Sequence, residues 1–276
     1  MTKRRDIIGD VSDLHIMSSV ALSPDRILLD DGHLVRPSKA QRWINQCWRD
    51  FWMEIRKYEP VGEGKRWLIV DGECVDGDHH DTPQILSRNP ADWVRAAAEV
   101  LDAPCQWADR RFFLRGTEAH SGRGGHLDEL IAADLGGEPD PTRGTHSWWH
   151  LLLEINGVRL DIAHHPPSTS SRPWTSGNAA NTLAAMTIME YATHRERIPD
   201  LCIRAHVHRY SDSGSNYPCR AVINPCWQLA TAYSHRRFPG QLADIGGVII
   251  IIEDGQANVI PVRFAPKARQ PWRESS

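Results

Sequence analysis

Apolar residues between positions 38 and 58 recur at the spacing of one helix face. They lie three or four positions apart, the period of an amphipathic α-helix, and they are Ile44, Cys47, Trp48, Phe51, Trp52 and Ile55. Ser38, followed three positions later by Gln41, provides a capping box at the start. The aromatic stripe could form a surface for a nucleobase or a partner, but its period fits core packing much better. We therefore predict a helix that buries this face.

Start and stop signals of the same kind predict three further helices. They run from Pro90 through Leu101 after an Asn89 N-cap, from about His126 to Leu135 before two glycines, and from Asn178 towards Tyr191. The last helix carries Met186 and Met189. We predict that both methionines pack in the core.

Apolar and β-branched runs predict strands at residues 65–70, 111–115, 148–155, 158–163, 201–205, 221–223, 247–252 and 258–264. Asn156-Gly157 and Asp254-Gly255 each separate two such runs by two residues, which is the signal of a tight antiparallel hairpin. Strands alternate with helices in the first half, and hairpins dominate the second. This order predicts an α/β fold with two mixed sheets and helices outside them. We expect one domain over residues 1–265 and a loose tail over 266–276.

Polar clusters follow five of the apolar runs, always on the C-terminal side. The first is Asp13-Leu14-His15, the last is Ala205-His206-Val207-His208, and the others lie at residues 71–77, 116–120 and 164–165. Strand ends on a rigid sheet can gather ligands that are remote in sequence. Carboxylates together with imidazoles suit Mn, Fe, Zn or Ni, whereas an all-oxygen site would indicate Mg or Ca. The pattern therefore predicts a metal centre.

The amino-acid composition, the net charge and the cysteine spacing exclude several classes of protein. The 276 residues are 41% hydrophobic and 24% charged, which is ordinary for a folded protein. A net charge of -3 argues against a strongly basic nucleic-acid binder, although a local basic patch can still hold a phosphate. The six cysteines form no C-x-x-C pair, and no apolar run has the length of a signal peptide core or a membrane span. We expect a cytoplasmic protein with reduced thiols and no membrane association.

Taken in order, the polar clusters resemble the motifs of the calcineurin-like metallophosphoesterase superfamily. The family pattern is D-x-H, G-D-x-x-D, G-N-H-D/E, a lone His and G-H-x-H. The corresponding segments here are Asp13-Leu14-His15, Gly72-Glu73-Cys74-Val75-Asp76, Gly116-Thr117-Glu118-Ala119-His120, His164 or His165, and Ala205-His206-Val207-His208. Single motifs recur by chance, but their joint order over residues 7–210 is specific. The resemblance implies a four-layer α-β-β-α sandwich, two mixed β-sheets flanked by helices.

The resemblance also implies two divalent metal ions and their ligands. Asp13, His15 and His208 would bind one ion, and His164 and His206 would bind the other. Glu73 would bridge the two ions, although the family's bridging residue is Asp. Strand parity favours His164 over His165 as the ligand.

Other positions have roles that depend on this resemblance. Asp71 is a possible substitute for Glu73, and Asp76 is expected to orient a ligand rather than bind metal. Thr117 stands where the family has an Asn ligand, and we expect it to be a poor replacement. His120 is assigned as the catalytic proton donor in preference to a ligand of the second ion.

Two loop segments have alternative interpretations, one inside the site and one outside it. Arg123, in a Gly-rich stretch, could clamp a phosphate oxygen through its guanidinium group or could simply be exposed. His79, His80 and Asp81 could extend the site, but a solvated loop explains them more simply. Ala205 replaces the usual Gly of the last motif, which a strand end tolerates unless positive φ is needed.

The implied function is metal-dependent hydrolysis of a phosphate ester, with water activated to hydroxide at a dinuclear centre. Residues 76–80 and 116–120 resemble phage and prophage members of the superfamily, which favours a phosphodiesterase or nuclease acting on nucleic acid or a nucleotide. A phosphomonoesterase, including a protein phosphatase, is one alternative. A catalytically dead metal-binding scaffold is another, because Glu73 and Thr117 depart from the family pattern.

Overall fold

The computed structural model describes residues 4–79, 81–166, 175, 177–237, 239–267 and 271–273. His80 and six residues of the predicted tail, 268–270 and 274–276, lie outside this description. The domain boundary at residue 265 therefore stays a prediction.

The first sheet has six strands in the order β13-β12-β1-β4-β5-β6. They are β1 (Arg5–Val11), β4 (Arg66–Asp71), β5 (Arg110–Leu114), β6 (Ser147–Trp148), β12 (Ile245–Glu253) and β13 (Gln256–Phe264). Strands β1, β4, β5 and β6 are parallel, and β12 and β13 continue the sheet with antiparallel pairing. The sheet is therefore mixed, as predicted.

The second sheet has five strands in the order β10-β11-β9-β8-β7. They are β7 (Leu151–Ile155), β8 (Val158–Ile162), β9 (Leu201–Arg204), β10 (Ser211–Asp212) and β11 (Arg220–Ile223). Strands β8, β9 and β11 are parallel, whereas β7 and β10 lie antiparallel at the edges. A small separate hairpin joins β2 (Ile27–Leu28) to β3 (Leu34–Val35).

Alternate residues of the strands pack on opposite sides, which produces four layers. One face of the first sheet packs against α1 (Lys39–Ile55), α2 (Pro90–Trp107) and α4 (His126–Asp134). Its other face, with Ile8 and Ile69, packs against Leu160 and Ile203 of the second sheet. The outer face of the second sheet packs against α5 (Asn178–Thr193). The predicted α-β-β-α sandwich is confirmed.

The predicted capping box and the two predicted hairpin turns are present in the structure. Ser38 Oγ accepts from the Gln41 N–H at 3.1 Å, and Gln41 Oε1 accepts from the Ser38 N–H at 2.9 Å, so the capping box is formed. Asn156-Gly157 joins β7 to β8 and Asp254-Gly255 joins β12 to β13, with positive φ at all four residues, as a tight hairpin turn requires.

The core prediction for the α5 methionines was wrong. Met186 and Met189 are 43% and 69% exposed. The buried side of α5 is formed instead by Ala180, Leu183, Ala184, Thr187 and Tyr191, of which Leu183 and Ala184 pack against β9 and β11. Within the described residues, no helix combines the length and the apolar character needed to span a membrane.

Candidate metal centre

Every predicted metal ligand lies within four residues of a strand's C-terminal end. Asp13 and His15 follow β1, Glu73 follows β4, and His164 follows β8. The pair His206 and His208 follows β9. Parallel pairing of β1 with β4 and of β8 with β9 brings these loops to one edge of the sandwich.

Asp13, His15, Glu73 and His208 form the first ligand group. Their possible ligand atoms all lie within 4.8 Å of one another. His15 Nε2 lies 3.1 Å from Glu73 Oε2 and 3.0 Å from His208 Nε2. His208 Nε2 in turn lies 3.3 Å from Asp13 Oδ1. Two carboxylates and two imidazoles therefore converge on one point.

Glu73, His164 and His206 form the second ligand group by the same criterion. Glu73 Oε1 is 3.4 Å from His164 Nε2 and 3.7 Å from His206 Nδ1. Glu73 belongs to both groups and uses a different oxygen in its closest contacts to each. Its carboxylate therefore lies between two potential cation positions.

The buried atoms of these groups fit a cation. Asp13, His15, Glu73 and His164 are at most 3% exposed. Among the described residues, Asp13 Oδ1, Glu73 Oε2, His164 Nε2 and His206 Nδ1 take part in no well-directed hydrogen bond. Burying such atoms unpaired is costly, and a bound divalent ion would satisfy them.

Neighbouring groups orient the imidazoles. His15 Nδ1 donates to Asp76 Oδ1 at 2.9 Å, which leaves Nε2 facing the ligand group. Gln228 Nε2 also donates to Asp76 Oδ1, at 2.9 Å. His164 Nδ1 donates to the Asp71 carbonyl oxygen at 2.6 Å, which again leaves Nε2 for a ligand role. Hydrogen bonds of this kind fix the tautomer of metal-binding histidines.

The backbone at the site is unusual. Asp13, His15, Glu73, His206 and His208 all have positive φ, between 45° and 73°. Residues other than glycine rarely adopt this region, and they persist there only where the surrounding structure imposes it. Five of the six predicted ligands share this strain, whereas Ala205, at the family's Gly position, does not.

Two glycines allow the loops to approach closely. A Cβ on Gly116 would lie 2.4 Å from Glu73 Cγ and 2.6 Å from the Glu73 backbone nitrogen. A Cβ on Gly72 would lie 2.5 Å from His164 Nδ1, and φ there is +78°. Neither position has room for a side chain.

Thr117 contacts Glu73 directly. Its hydroxyl donates a short hydrogen bond to Glu73 Oε1, and its backbone N–H donates to the same oxygen at 3.3 Å. Thr117 thus holds the carboxylate shared by both groups. The sequence comparison with the family pattern did not reveal this contact.

The charges of the site shift the pKa values of its members. Burial favours a protonated Glu73, but the nearby His120, His164 and His15 outweigh it and hold the pKa of Glu73 well below its usual range. Burial lowers the pKa of His15, yet its hydrogen bond to Asp76 and the nearby Glu73 carboxylate dominate and raise that pKa to about 10. The pKa of His208 is lowered by burial and by the neighbouring His15.

Asp71, the possible substitute ligand, lies in neither ligand group. Its carboxylate is fully buried without a hydrogen-bond partner among the described residues, and burial raises its pKa to about 7. His165 also lies outside both groups. Its Nδ1 donates to the Pro166 carbonyl oxygen, and its ring lies 4.5 Å from that of His206.

His120 is placed beside the first ligand group. It lies on the single-turn helix α3 (Glu118–Ser121), and its Nδ1 donates to the Asp76 carbonyl oxygen at 2.7 Å. Its ring is 4.5 Å from the His15 ring and 4.0 Å from the His79 ring. His79 thus lines the cavity at the site, in contrast to the solvated loop predicted for it, whereas Asp81 is exposed.

Arg123 does not join the other predicted residues. It lies on a turn of 3₁₀ helix (Arg123–Gly125), where its side chain is exposed and is not part of the cavity lining. Arg209 instead lines the cavity, with its guanidinium 3.4 Å from Gln241 Oε1. Arg209 belongs to none of the motifs. It directly follows His208, and this adjacency could have indicated a position near the site.

A cavity of about 560 Å³ opens onto the two ligand groups. His15, Glu73, His120, His206 and His208 form one side of it. The sequence analysis missed a further part of the lining, which we call the distal wall and which comes from residues 229–231, 233–234 and 241–243. It includes Leu229, Ala230, Thr231, Tyr233, Leu242 and Ala243.

Comparison with known proteins gave distant structural matches. No protein-family model matches the chain, and no curated protein matches it significantly. Vacuolar protein sorting 29 from Cryptosporidium parvum is 11% identical, with a TM-score of 0.43, 96% of this chain covered and 100% of that one. A single mutant of Vps29 from Entamoeba histolytica is 10% identical, with a TM-score of 0.39 and coverages of 94% and 99%. Hypothetical protein PH1004 from Pyrococcus horikoshii OT3 is 9% identical, with a TM-score of 0.46 and coverages of 94% and 88%. These similarities are too low to assign a family or an activity.

Proposed function

We propose that this chain is a dinuclear-metal phosphoesterase of the calcineurin-like superfamily. One observation carries the proposal: two groups of side chains that could bind a metal, most of them buried, share the carboxylate of Glu73. A shared carboxylate is what a bridging ligand between two cations requires. The order of the motifs along the chain supports the same conclusion independently.

In this proposal the side chains divide the binding of two ions. Asp13, His15 and His208 would hold one, His164 and His206 would hold the other, and Glu73 would contribute to both. Divalent cations bound there would lower the pKa of a water molecule and neutralise charge on the phosphoryl group. The mixed nitrogen and oxygen donors favour Mn, Fe, Zn or Ni over Ca.

His120 is the proposed proton donor to the leaving oxygen. Its Nδ1 is occupied by the Asp76 carbonyl oxygen, so Nε2 is the nitrogen available for the substrate. In the imidazolium form, Nε2–H transfers its proton as the bond between phosphorus and the leaving oxygen breaks. The ring lines the cavity beside the ligand groups, as this role requires.

A phosphodiester is the preferred substrate class, and the resemblance of residues 76–80 and 116–120 to phage members favours nucleic acid or a nucleotide. A diester carries one charge and two organic groups, and the distal wall of the cavity is largely apolar. Among the described residues, Arg209 is the one arginine that lines the cavity. A dianionic monoester would gain more from additional cationic groups.

A metal-binding scaffold without catalysis is the second candidate. The second ligand group contains only three side chains among the described residues, and Thr117 replaces the family's amide ligand. Such a protein would bind metal yet hydrolyse neither diesters nor monoesters.

The first experiment measures metal content and hydrolysis together. The protein is loaded with Mn, Zn or Mg in turn, and elemental analysis should find two ions per chain for at least one of them. Bis(p-nitrophenyl) phosphate should be cleaved faster than p-nitrophenyl phosphate. Metal without turnover of either ester would favour the scaffold, and no bound metal would exclude both candidates.

Variants of the ligands test the assignment. Asp13→Asn and His208→Ala should reduce diester hydrolysis by more than about 100-fold, since even residues that only orient metal ligands cost roughly 10–100-fold. His194→Ala, at an exposed histidine after α5, is the matched control and should retain activity. Full metal-dependent activity in Asp13→Asn would remove the proposed centre.

A further inference from the structure

The cavity beside the ligand groups extends well beyond the space that a phosphoryl group needs. Its volume of about 560 Å³ lies in the ~300–1,000 Å³ range of sites that enclose whole organic ligands. Part of its lining is the distal wall, which includes Tyr233 and Ser234 of α6 (Ala232–Arg237). The cavity therefore has room for an organic group of substantial size against this wall.

The chemistry of the distal wall limits what that group can be. Leu229, Ala230, Leu242 and Ala243 provide an apolar surface, and Thr231 and Ser234 add hydroxyl groups. No acidic residue occurs between Gln228 and Ala243 in the sequence. The surface therefore suits a flat, partly apolar group attached to an anion and offers no carboxylate for a cationic group.

Tyr233 is the aromatic residue that the distal wall presents to the cavity. It is 48% exposed, and Leu242, which also lines the cavity, is 45% exposed. Large apolar side chains that stay accessible at a cavity commonly contact a ligand. An accessible tyrosine ring is a stacking platform for a nucleobase.

Cationic groups lie near the same surface. Arg209 lines the cavity, and Arg236 and Arg237 are exposed in the last turn of α6. These side chains could neutralise phosphates that flank the one being cleaved. Together with the ring of Tyr233, they match a nucleotide chain better than a lipid or a peptide.

We propose that the distal wall is a nucleoside subsite, in which Tyr233 stacks on the base of a nucleotide phosphodiester. This inference rests on the proposed hydrolase function and specifies its substrate. Tyr233 is then a specificity-determining residue that contacts the substrate without taking part in bond cleavage.

Two synthetic diesters with the same reporter group test the subsite. Metal-loaded protein is assayed with thymidine p-nitrophenyl phosphate and with methyl p-nitrophenyl phosphate. The nucleoside diester should have a kcat/KM at least about tenfold higher, because stacking of one base is worth roughly 1–3 kcal/mol. Tyr233→Ala should lower the ratio of the two kcat/KM values about tenfold, and Tyr233→Trp should preserve it.

Binding provides a readout that is separate from turnover. Thymidine monophosphate should bind the metal-loaded protein more tightly than methyl phosphate, and Tyr233→Ala should remove the difference. Tyr217→Ala, at an exposed tyrosine outside the cavity lining, is the control and should change neither ratio. Equal kcat/KM values for both diesters, or a ratio unaffected by Tyr233→Ala, would overturn the subsite while leaving the hydrolase intact. Hydrolysis of neither diester would instead contradict the proposed function.

Discussion

At the scale of single residues, two departures from the family pattern compensate each other. Glu73 is one methylene longer than the usual Asp, and Thr117 is too short to replace the usual Asn as a ligand. The Thr117 hydroxyl and N–H both donate to Glu73 Oε1. The longer acid therefore reaches the shorter hydroxyl, which holds the carboxylate in position between the two ligand groups.

Removing the Thr117 hydroxyl should weaken metal binding. Thr117→Val keeps the shape of the side chain but loses the hydrogen bond to Glu73, so we expect a loss of roughly 10–100-fold in affinity for the ion held least tightly, as is typical of residues that support metal ligands. Thr117→Ser, which retains the hydroxyl, should bind metal like the wild type. Calorimetric titration with Mn measures both, and equal affinities for the two variants would contradict this role.

The residues that could be predicted are those whose chemistry is visible in a motif. The six predicted ligands are brought together because each follows a strand whose apolar run is evident in the sequence, and they are Asp13, His15, Glu73, His164, His206 and His208. Arg209 and Tyr233 were not found in this way. The position of Tyr233 depends on the course of the chain after β11, which no local pattern specifies.

At the scale of elements, the start of α1 is tied to the loop that carries the first ligands. Ser38 Oγ donates to the Ser19 carbonyl oxygen at 2.8 Å, and Gln41 Nε2 donates to the Ser18 carbonyl oxygen at 3.0 Å. The N–H of Ser18 in turn donates to the carbonyl oxygen of His15 at 3.1 Å. The capping box therefore stabilises both the helix and the turn after His15.

Ser38→Ala should destabilise the fold by about 1–2 kcal/mol, the upper half of the range for a lost N-cap, because the side chain also bonds to Ser19. The midpoint of urea unfolding should fall while its slope stays constant. Ser215→Ala, at an exposed serine between β10 and β11, is the control and should leave the midpoint unchanged. An unaltered midpoint in Ser38→Ala would show that the cap does not contribute to the free energy of unfolding.

Long periodic elements were predictable and short ones were not. The bounds of α1 and the two hairpin turns follow from strong local signals that agree with their surroundings. The β2–β3 hairpin, α3 and α6 contain between two and six residues per element, too few to display a period. The exposure of Met186 and Met189 has a different cause, since the register of α5 on the second sheet decides which side is buried.

At the scale of the whole molecule, the pKa values of His15 and His164 in the ligand groups are raised when no cation is bound. The hydrogen bond to Asp76 and the nearby Glu73 carboxylate outweigh burial and raise the pKa of His15 to about 10, and Glu73 raises the pKa of His164 in the same direction. The His15 imidazole is then protonated at neutral pH in the metal-free protein. Metal binding requires neutral nitrogen ligands.

Metal addition at pH 7 should therefore release protons, and metal affinity should rise with pH until about the pKa of His15. The raised His15 pKa stabilises the metal-free fold below about pH 6.5, the ordinary histidine value, and this contribution is lost as the pH rises towards 10. Proton release can be followed with an indicator dye in weak buffer. The release should be smaller in His15→Ala, and its complete absence in the wild type would contradict protonated ligands.

Two mixed sheets with helices outside them could be predicted from the order of strands and helices, but the strand order within each sheet was not evident from local patterns. Each of the two sheets combines strands that are distant along the chain, such as β1 with β12. Pairing at such range depends on the total packing of the molecule, and here only the family resemblance indicated a layered arrangement of this kind.

The six proposed ligands span the chain from Asp13 to His208, which decides when the proposed metal centre can be complete. A nascent chain that ends with β9 still lacks His206 and His208, one donor for each proposed cation position, so both ligand groups are assembled only late in maturation. If cations bind only the finished fold, their supply adds to the stability of the entire polypeptide. Metal starvation would then appear as general susceptibility to proteases across both sheets, beyond local damage at the edge that carries the ligand groups.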